Sequence, residues 1–301
     1  MAPTSSKQLV AATFTPLTGR GEINLGEIEP YLDYLTEKQG VYNIFVNGTT
    51  GEGMSLSVEE RKLLAKHWCE KAKEKNVHVI VHVGCMSLKD SQELAEHAAC
   101  IKADGVAVIA PSFLKPKTAD ALRKFLQEVA LFAQGLPFYY YHIPAVTGIT
   151  WQAKEVLEGI ETLIPSFSGV KFSSSDLMDF GLCLSNYQKQ LFLYGVDEQL
   201  LPALAMGADG AVGSTYNYLG CQANQLLSAF ENSDLVQARK IQNKMQELIS
   251  YAMEKGFDVG LNKQLMIELS GLRLGPPRLP ILPCPHEVAV LIAEKFYSIF
   301  S

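Results

Sequence analysis

Gly169-Val170-Lys171-Phe172-Ser173-Ser174-Ser175-Asp176 holds in eight residues the pattern of the whole chain. A short apolar run reads as a buried strand, and hydroxyls and an acid follow at once, where a helix N-cap belongs. The strand also carries a lysine. An ammonium prefers water, so a lysine in an apolar run must reach solvent, find partners or lose its proton. A neutral amine at a strand end can attack a ketone and form a Schiff base. Taken alone, the octapeptide is explained more simply by a lysine that snorkels to solvent.

The same strand-then-helix unit recurs on both sides of this stretch. Strands are expected at 9–14, 43–47, 78–83, 105–110, 137–142, 169–172, 190–195 and 210–214. Helical patterns separate them at 25–39, 57–75, 88–102, 119–133, 151–160, 176–186 and 200–206. In the first of these, Ile28, Tyr31, Leu32 and Leu35 share a face. In the second, Ser57 and Glu60 have the spacing of a capping box. Ala103-Asp104-Gly105 and Ala208-Asp209-Gly210 are matching turns into the fourth and eighth strands. Eight short strands alternating with helices predict an α/β fold, a closed (β/α)8 TIM barrel. An open doubly wound sheet is the competitor, but its G-x-G-x-x-G turn after the first strand is missing. Beyond residue 219 only helices are expected, at 234–255, 262–269 and 287–300, with a Pro-rich connector at 271–285. The domain reading is therefore a barrel over 1–220 carrying the active site and a helical C-terminal extension over 221–301.

Composition narrows the class. With 48% hydrophobic and 19% charged residues among 301, the chain can bury a substantial core and is not disordered. A net charge of −6, with Lys and Arg scattered, argues against nucleic acid or an anionic membrane surface as the main partner. No apolar run reaches the roughly 20 residues needed to cross a bilayer. Residues 1–8 are polar and lack the apolar core of a signal peptide, which points to the cytoplasm. The six cysteines (Cys69, Cys85, Cys100, Cys183, Cys221, Cys284) form no C-x-x-C pair and read as reduced, mostly packed thiols. The six histidines show no H-E-x-x-H, so no metal site is expected.

In such barrels the active-site groups stand at the C-terminal ends of strands. That rule gathers Thr49 and Thr50 from the second strand, Tyr141 from the fifth, and Lys171 and Ser173 from the sixth. The seventh adds Asp197 and Glu198, and the eighth Gly213 and Ser214. The set holds one potential nucleophile, one phenol, several hydroxyls and an acidic pair. Each has a plainer explanation. Gly48-Thr49-Thr50-Gly51-Glu52-Gly53 could be an ordinary turn, and Met54 where a phosphate-binding lysine is required rules out a P-loop. Tyr141 lies in a run of three tyrosines whose alternation lets Tyr139 and Tyr141, but not Tyr140, face the barrel axis. Asp197-Glu198 could simply complement a helix dipole. Carboxylates and hydroxyls together suit a polyol better than a phosphate.

Gly48-Thr49-Thr50-Gly51-Glu52, Tyr141-His142-Ile143-Pro144, Gly169-Val170-Lys171 and Gly213-Ser214-Thr215-Tyr216-Asn217 come in the order and spacing of the pyruvate-dependent class I aldolases. The chain resembles that family, which includes dihydrodipicolinate synthase and N-acetylneuraminate lyase, over nearly its whole length. The resemblance implies that Lys171 forms a Schiff base, that Tyr141 shuttles protons, and that Thr49 and Thr50 bind the ketoacid carboxylate. Dihydrodipicolinate synthases carry an arginine shortly after the Tyr-x-x-Pro segment; here Ala145-Val146-Thr147-Gly148 has none. The segments holding Gly195, Asp197, Glu198 and Ser214 resemble instead those by which sialic acid lyases hold the sugar tail, with Ser173 beside them. Phe113 stands where many members carry an interface tyrosine, which leaves a proton relay through such a phenol in question. The implied reaction is a reversible retro-aldol cleavage of N-acetylneuraminate to pyruvate and N-acetyl-D-mannosamine, without metal or other cofactor, in a homotetramer. A sister aldolase for another 2-keto sugar acid and a non-catalytic binding relative remain as alternatives.

Overall fold

A computed structural model describes residues 7–301, so residues 1–6 of the polar N-terminus lie outside the described residues. Among the described residues, parallel strands follow one another in sequence order and close into a ring. They are β1 (Gln8–Ala12), β2 (Asn43–Val46), β3 (His78–His82), β4 (Gly105–Ile109), β5 (Phe138–His142), β6 (Phe167–Phe172), β7 (Leu191–Tyr194) and β8 (Gly210–Gly213). Closure comes from β1 pairing with β8, Val10 opposite Val212. The expected barrel is the observed one.

Period-2 alternation sorts the side chains. Phe45, Ile80, Tyr139, Tyr141, Leu193 and Val212 pack in one interior cluster. Ile44, Val79, Tyr140, Val170 and Phe192 belong to the outer core beneath the helices. The two matching turns do the same work: Asp104 accepts from Val79 N and Asp209 from Phe192 N, each at 2.8 Å. Each turn aspartate thereby satisfies a backbone N–H of the preceding strand, which keeps the start of the ring in register.

The expected capping box is present, with Glu60 N donating to Ser57 Oγ and Ser57 N donating to Glu60 Oε2. The helix expected over 25–39 is less regular: a 3₁₀ turn, an α-helix at Ile28–Asp33 and a π-helical stretch at Tyr34–Gln39. Ile28, Tyr31, Leu32 and Leu35, expected on one face, are nonetheless all buried. The helix expected over 151–160 is two short pieces, Ala153–Leu157 and Ile160–Leu163, because Gly159 between them takes a left-handed conformation at φ 69°. A helix not expected from the sequence, Tyr216–Glu231, buries Leu219, Ala223, Leu226 and Leu227, and residue 220 falls inside it. All six cysteines are free thiols; Cys85 and Cys183 are buried, whereas Cys100 and Cys221 are exposed. No helix among the described residues is long and apolar enough to cross a membrane.

Helices Leu235–Glu254, Val259–Ser270 and His286–Phe300 complete the chain. They are tied to the loop after β2 by charge. Lys263 and Glu52, both wholly buried, pair at 2.8 Å, and Lys263 also donates to Pro276 O at 3.1 Å. The second Glu52 oxygen accepts from Arg278 N at 2.6 Å. Arg278 grips Glu60 through both of its terminal nitrogens, at 2.7 and 2.8 Å.

That grip makes part of the stability depend on pH. Arg278 holds the Glu60 carboxyl down to about 2, from its ordinary 4.5. A lowered carboxylate contributes stability that is complete above its unfolded value and is lost as pH falls through its folded one. The stability gap between wild type and Arg278→Met should therefore be widest above pH 4.5 and narrow steadily toward pH 2. Urea unfolding across that range measures it; a gap independent of pH would remove the ion pair from the account.

Candidate active site

The C-terminal ends of the strands surround a cleft of about 380 Å³. It is lined by every predicted site residue: Thr49 and Thr50 after β2, Tyr141, Lys171 and Ser173 from β5 and β6, and Gly195, Asp197, Glu198 and Ser214 from the last two strands. A crevice of about 420 Å³ lies at the opposite end of the barrel, among Cys69, Lys73 and Asp104. It holds none of these groups, and catalytic groups in this architecture gather at the C-terminal face.

Lys171 stands on β6 between Tyr141 of β5 and Leu193 of β7. It is 6% exposed, so it does not snorkel to solvent. Its Nζ lies over two aromatic faces, 4.1 Å from the Tyr141 ring centroid and 4.2 Å from that of Phe45. No hydrogen bond or salt bridge among the described residues reaches this amine. The Tyr141 hydroxyl lies 3.2 Å from Thr49 Oγ1, so the phenol of β5 and the threonine turn of β2 meet in front of the amine. His82 packs edge-on to Tyr141, at 5.9 Å between centroids. Its burial and the neighbouring Arg61 keep its pKa well below the usual imidazole value.

The other wall is acidic and hydroxylic. Asp197 is buried, and its Oδ2 accepts from Thr215 N at 2.9 Å and from Thr215 Oγ1 at 2.6 Å. Burial pushes its carboxyl above the usual range, against those two hydrogen bonds. Burial raises Glu198 as well. Asn262 donates to Ser214 Oγ at 2.8 Å. Two glycines make this wall possible: a Cβ on Gly213 would overlap the Asp197 carboxylate, and one on Gly195 would overlap Ser173 Oγ. Among the described residues no group of three or more His, Cys, Asp or Glu could hold a metal ion.

Sequence reasoning missed part of the lining. Phe45 of β2 lies under the Lys171 amine and His82 of β3 packs against Tyr141, behind the lining itself, and which parity of each strand faces inward is not fixed by its own sequence. Met253 and Asn262 come from the C-terminal helices and Phe257 from the turn between them, and no motif links them to the barrel.

Gly213→Ala should force the Asp197 carboxylate off Thr215 and cost about 1–3 kcal/mol of stability, as overpacking does. Adding Asp197→Ala removes the clashing group, so the double variant should be more stable than the sum of the two losses. Strict additivity in thermal unfolding would show that the two positions do not collide.

With this geometry in hand, comparison with known proteins gives a consistent picture. The sequence model of the Dihydrodipicolinate synthetase family matches residues 5–294. The N-acetylneuraminate lyase of Danio rerio is 59% identical over 292 residues, 96% of this chain and 95% of that protein. The solved Proteus mirabilis N-acetylneuraminate lyase superposes with a TM-score of 0.91 at 34% identity, over 98% of this chain and 99% of that one. A catalytic lysine mutant of the Ruminococcus gnavus sialic acid aldolase also superposes at 0.91, with 26% identity over 98% and 97% of the two chains. The chain belongs to the dihydrodipicolinate synthetase family.

Proposed function

We propose that this chain is a sialic acid aldolase that cleaves N-acetylneuraminate reversibly to pyruvate and N-acetyl-D-mannosamine through a Schiff base on Lys171. The observation that carries the proposal is the Lys171 amine, packed between two aromatic faces at the floor of a cleft whose far wall is acidic and hydroxylic. Two relatives support it: an N-acetylneuraminate lyase 59% identical to this chain, and a sialic acid aldolase studied as a catalytic lysine mutant. Lys171 is the one lysine that lines the cleft among the described residues.

The steps follow from the placement. Lys171 Nζ attacks the ketone carbon of the open-chain sugar acid, and loss of water leaves an iminium. Tyr141 gives its proton to the departing hydroxyl, which leaves as water, and the phenolate then takes the proton of the hydroxyl two carbons away. That oxygen becomes the aldehyde of N-acetylmannosamine as the carbon–carbon bond breaks, and the bonding pair moves into the iminium to give an enamine. Tyr141 later returns that proton to the enamine carbon, and hydrolysis restores Lys171 and releases pyruvate. The iminium is the electron sink, so the chemistry calls for no metal or other cofactor.

Thr49 and Thr50 are assigned to the ketoacid carboxylate, with the Thr49 hydroxyl beside Tyr141 as the link between binding and proton transfer. Ser173, Gly195, Asp197, Glu198 and Ser214 are assigned to the polyol tail. A homotetramer is part of the proposal, supported by Phe113 and Leu114, which stand 86% and 84% exposed on the loop after β4. A cytoplasmic setting is supported by the six free thiols.

Borohydride reduction in the presence of pyruvate tests the nucleophile. It should add a pyruvate-derived mass to Lys171 and to no other lysine; modification elsewhere, or none, would sink the mechanism. For the proton relay, Tyr141→Phe removes only a hydroxyl and should lower kcat by roughly 10² to 10⁴ while leaving pyruvate trapping largely intact. A near-normal kcat would move the relay to water or to the substrate's own carboxylate.

A further inference from the structure

The acidic wall of the cleft is held from behind by amide side chains of the C-terminal extension. Gln242, buried in the Leu235–Glu254 helix, accepts from Leu201 N at 2.7 Å and donates to Asp197 O at 3.4 Å. Gln246, four residues on and therefore on the same helix face, donates to Glu198 O at 2.8 Å. Asn262 donates to Ser214 Oγ and is itself fixed by Tyr218, whose hydroxyl donates to Asn262 Oδ1 at 3.0 Å. Three of the four polar residues assigned to the sugar tail, Asp197, Glu198 and Ser214, thus have an amide of the extension on them.

Besides these amides, the segment is held by Thr215, which donates twice to the Asp197 carboxylate, and by Tyr194, whose hydroxyl donates to Gln199 Oε1 at 2.8 Å. Asp197–Gln199 is a single 3₁₀ turn, closed by Gln199 N donating to Val196 O at 2.9 Å. A turn of three residues with one bond of its own settles where its outside partners place it. The opposite half of the cleft is independent of this grip. Lys171 and Tyr141 sit on neighbouring strands of the ring, and neither glutamine touches them or lines the cleft.

We infer that the C-terminal extension is the specificity element of this enzyme, with Gln242 and Gln246 as positioning residues that set Asp197 and Glu198 against the hydroxylated tail of the substrate. The inference rests on the aldolase reading above and deepens it. Chemistry at the keto-acid end belongs to the barrel, while selection of a long polyol substrate belongs to a helix that no sequence motif connects with the site. A helix that merely stabilised the barrel would give losses common to all substrates. A positioning helix gives losses only where a tail is present.

The experiment compares wild type, Gln246→Ala and the double variant Gln242→Met/Gln246→Ala on two substrates. One is N-acetylneuraminate; the other is a short 4-hydroxy-2-keto acid with a methyl group in place of the tail. For Gln246→Ala, kcat/KM on N-acetylneuraminate should fall roughly three- to tenfold, the effect of one lost neutral hydrogen bond, and the double variant should lose roughly tenfold or more. The fall should come through KM, with kcat held within about twofold, because tail contacts made before bond breaking are uniform binding. The short acid should be cleaved at the wild-type rate, and pyruvate trapping at Lys171 should be unchanged. Equal losses on both substrates, a fall in kcat alone, or no loss on the long one would each overturn the inference. Gln246 is exposed, so its single variant decides the matter if the double one does not fold. Wild-type protein that neither traps pyruvate nor cleaves the sugar acid would instead overturn the aldolase reading, and this inference with it.

Discussion

Closure of the strand ring is the constraint on which everything else depends. Once β1 pairs with β8, the sheet has no edge, and the C-terminal ends of all its strands face one opening. Residues far apart in sequence are then delivered to one cleft by register alone. Tyr141 stands beside Lys171 because β5 and β6 pair in that register. A shift of one residue in β6 would turn the amine out of the barrel interior into the helix layer, and one in β5 would do the same to Tyr141, since alternate positions face opposite ways.

The ring also explains the division of the cleft. On the side of β5 and β6, aromatic faces surround an amine that makes no salt bridge among the described residues. On the side of β7 and β8, hydroxyls and carboxyls are locked to one another and to backbone. Burial raises both carboxyls of that wall. Groups biased toward their neutral form suit hydrogen bonding to hydroxyls better than capture of a cation. An amine kept free of ion pairs can make and break a covalent bond, and a preset polar wall can orient a tail without reorganising.

The C-terminal helices, which look accessory in sequence, fasten both sides of this arrangement. The Lys263–Glu52 pair anchors the turn after β2, and amides of the same extension hold the turn after β7 and Ser214 at the end of β8. A buried ion pair is a poor source of net stability, because desolvation offsets most of its attraction. Removing one partner, however, leaves an unpaired charge in the interior. The pair therefore enforces one placement of the loop more than it strengthens the fold.

Much of this was legible in the sequence, because it is written in short-range patterns. Short apolar runs marked the strands, the Ser57–Glu60 capping box marked a helix start, and the matching Asp104 and Asp209 turns marked strand entries. The nine candidate site residues could be gathered because a barrel places strand ends together, and the cleft does hold them all. Other features needed the tertiary structure. The Tyr216–Glu231 helix escaped because it follows β8 directly and its start, Tyr216-Asn217, reads as part of a loop motif. Phe45 beneath the amine depends on which parity of β2 faces inward, and that is settled only when neighbouring strands are in register. The grip of Gln242, Gln246 and Asn262 leaves no local trace. Hydrogen bonds between positions more than 40 residues apart arise from how helices pack on a closed ring, and neither periodicity nor spacing along the chain encodes that packing.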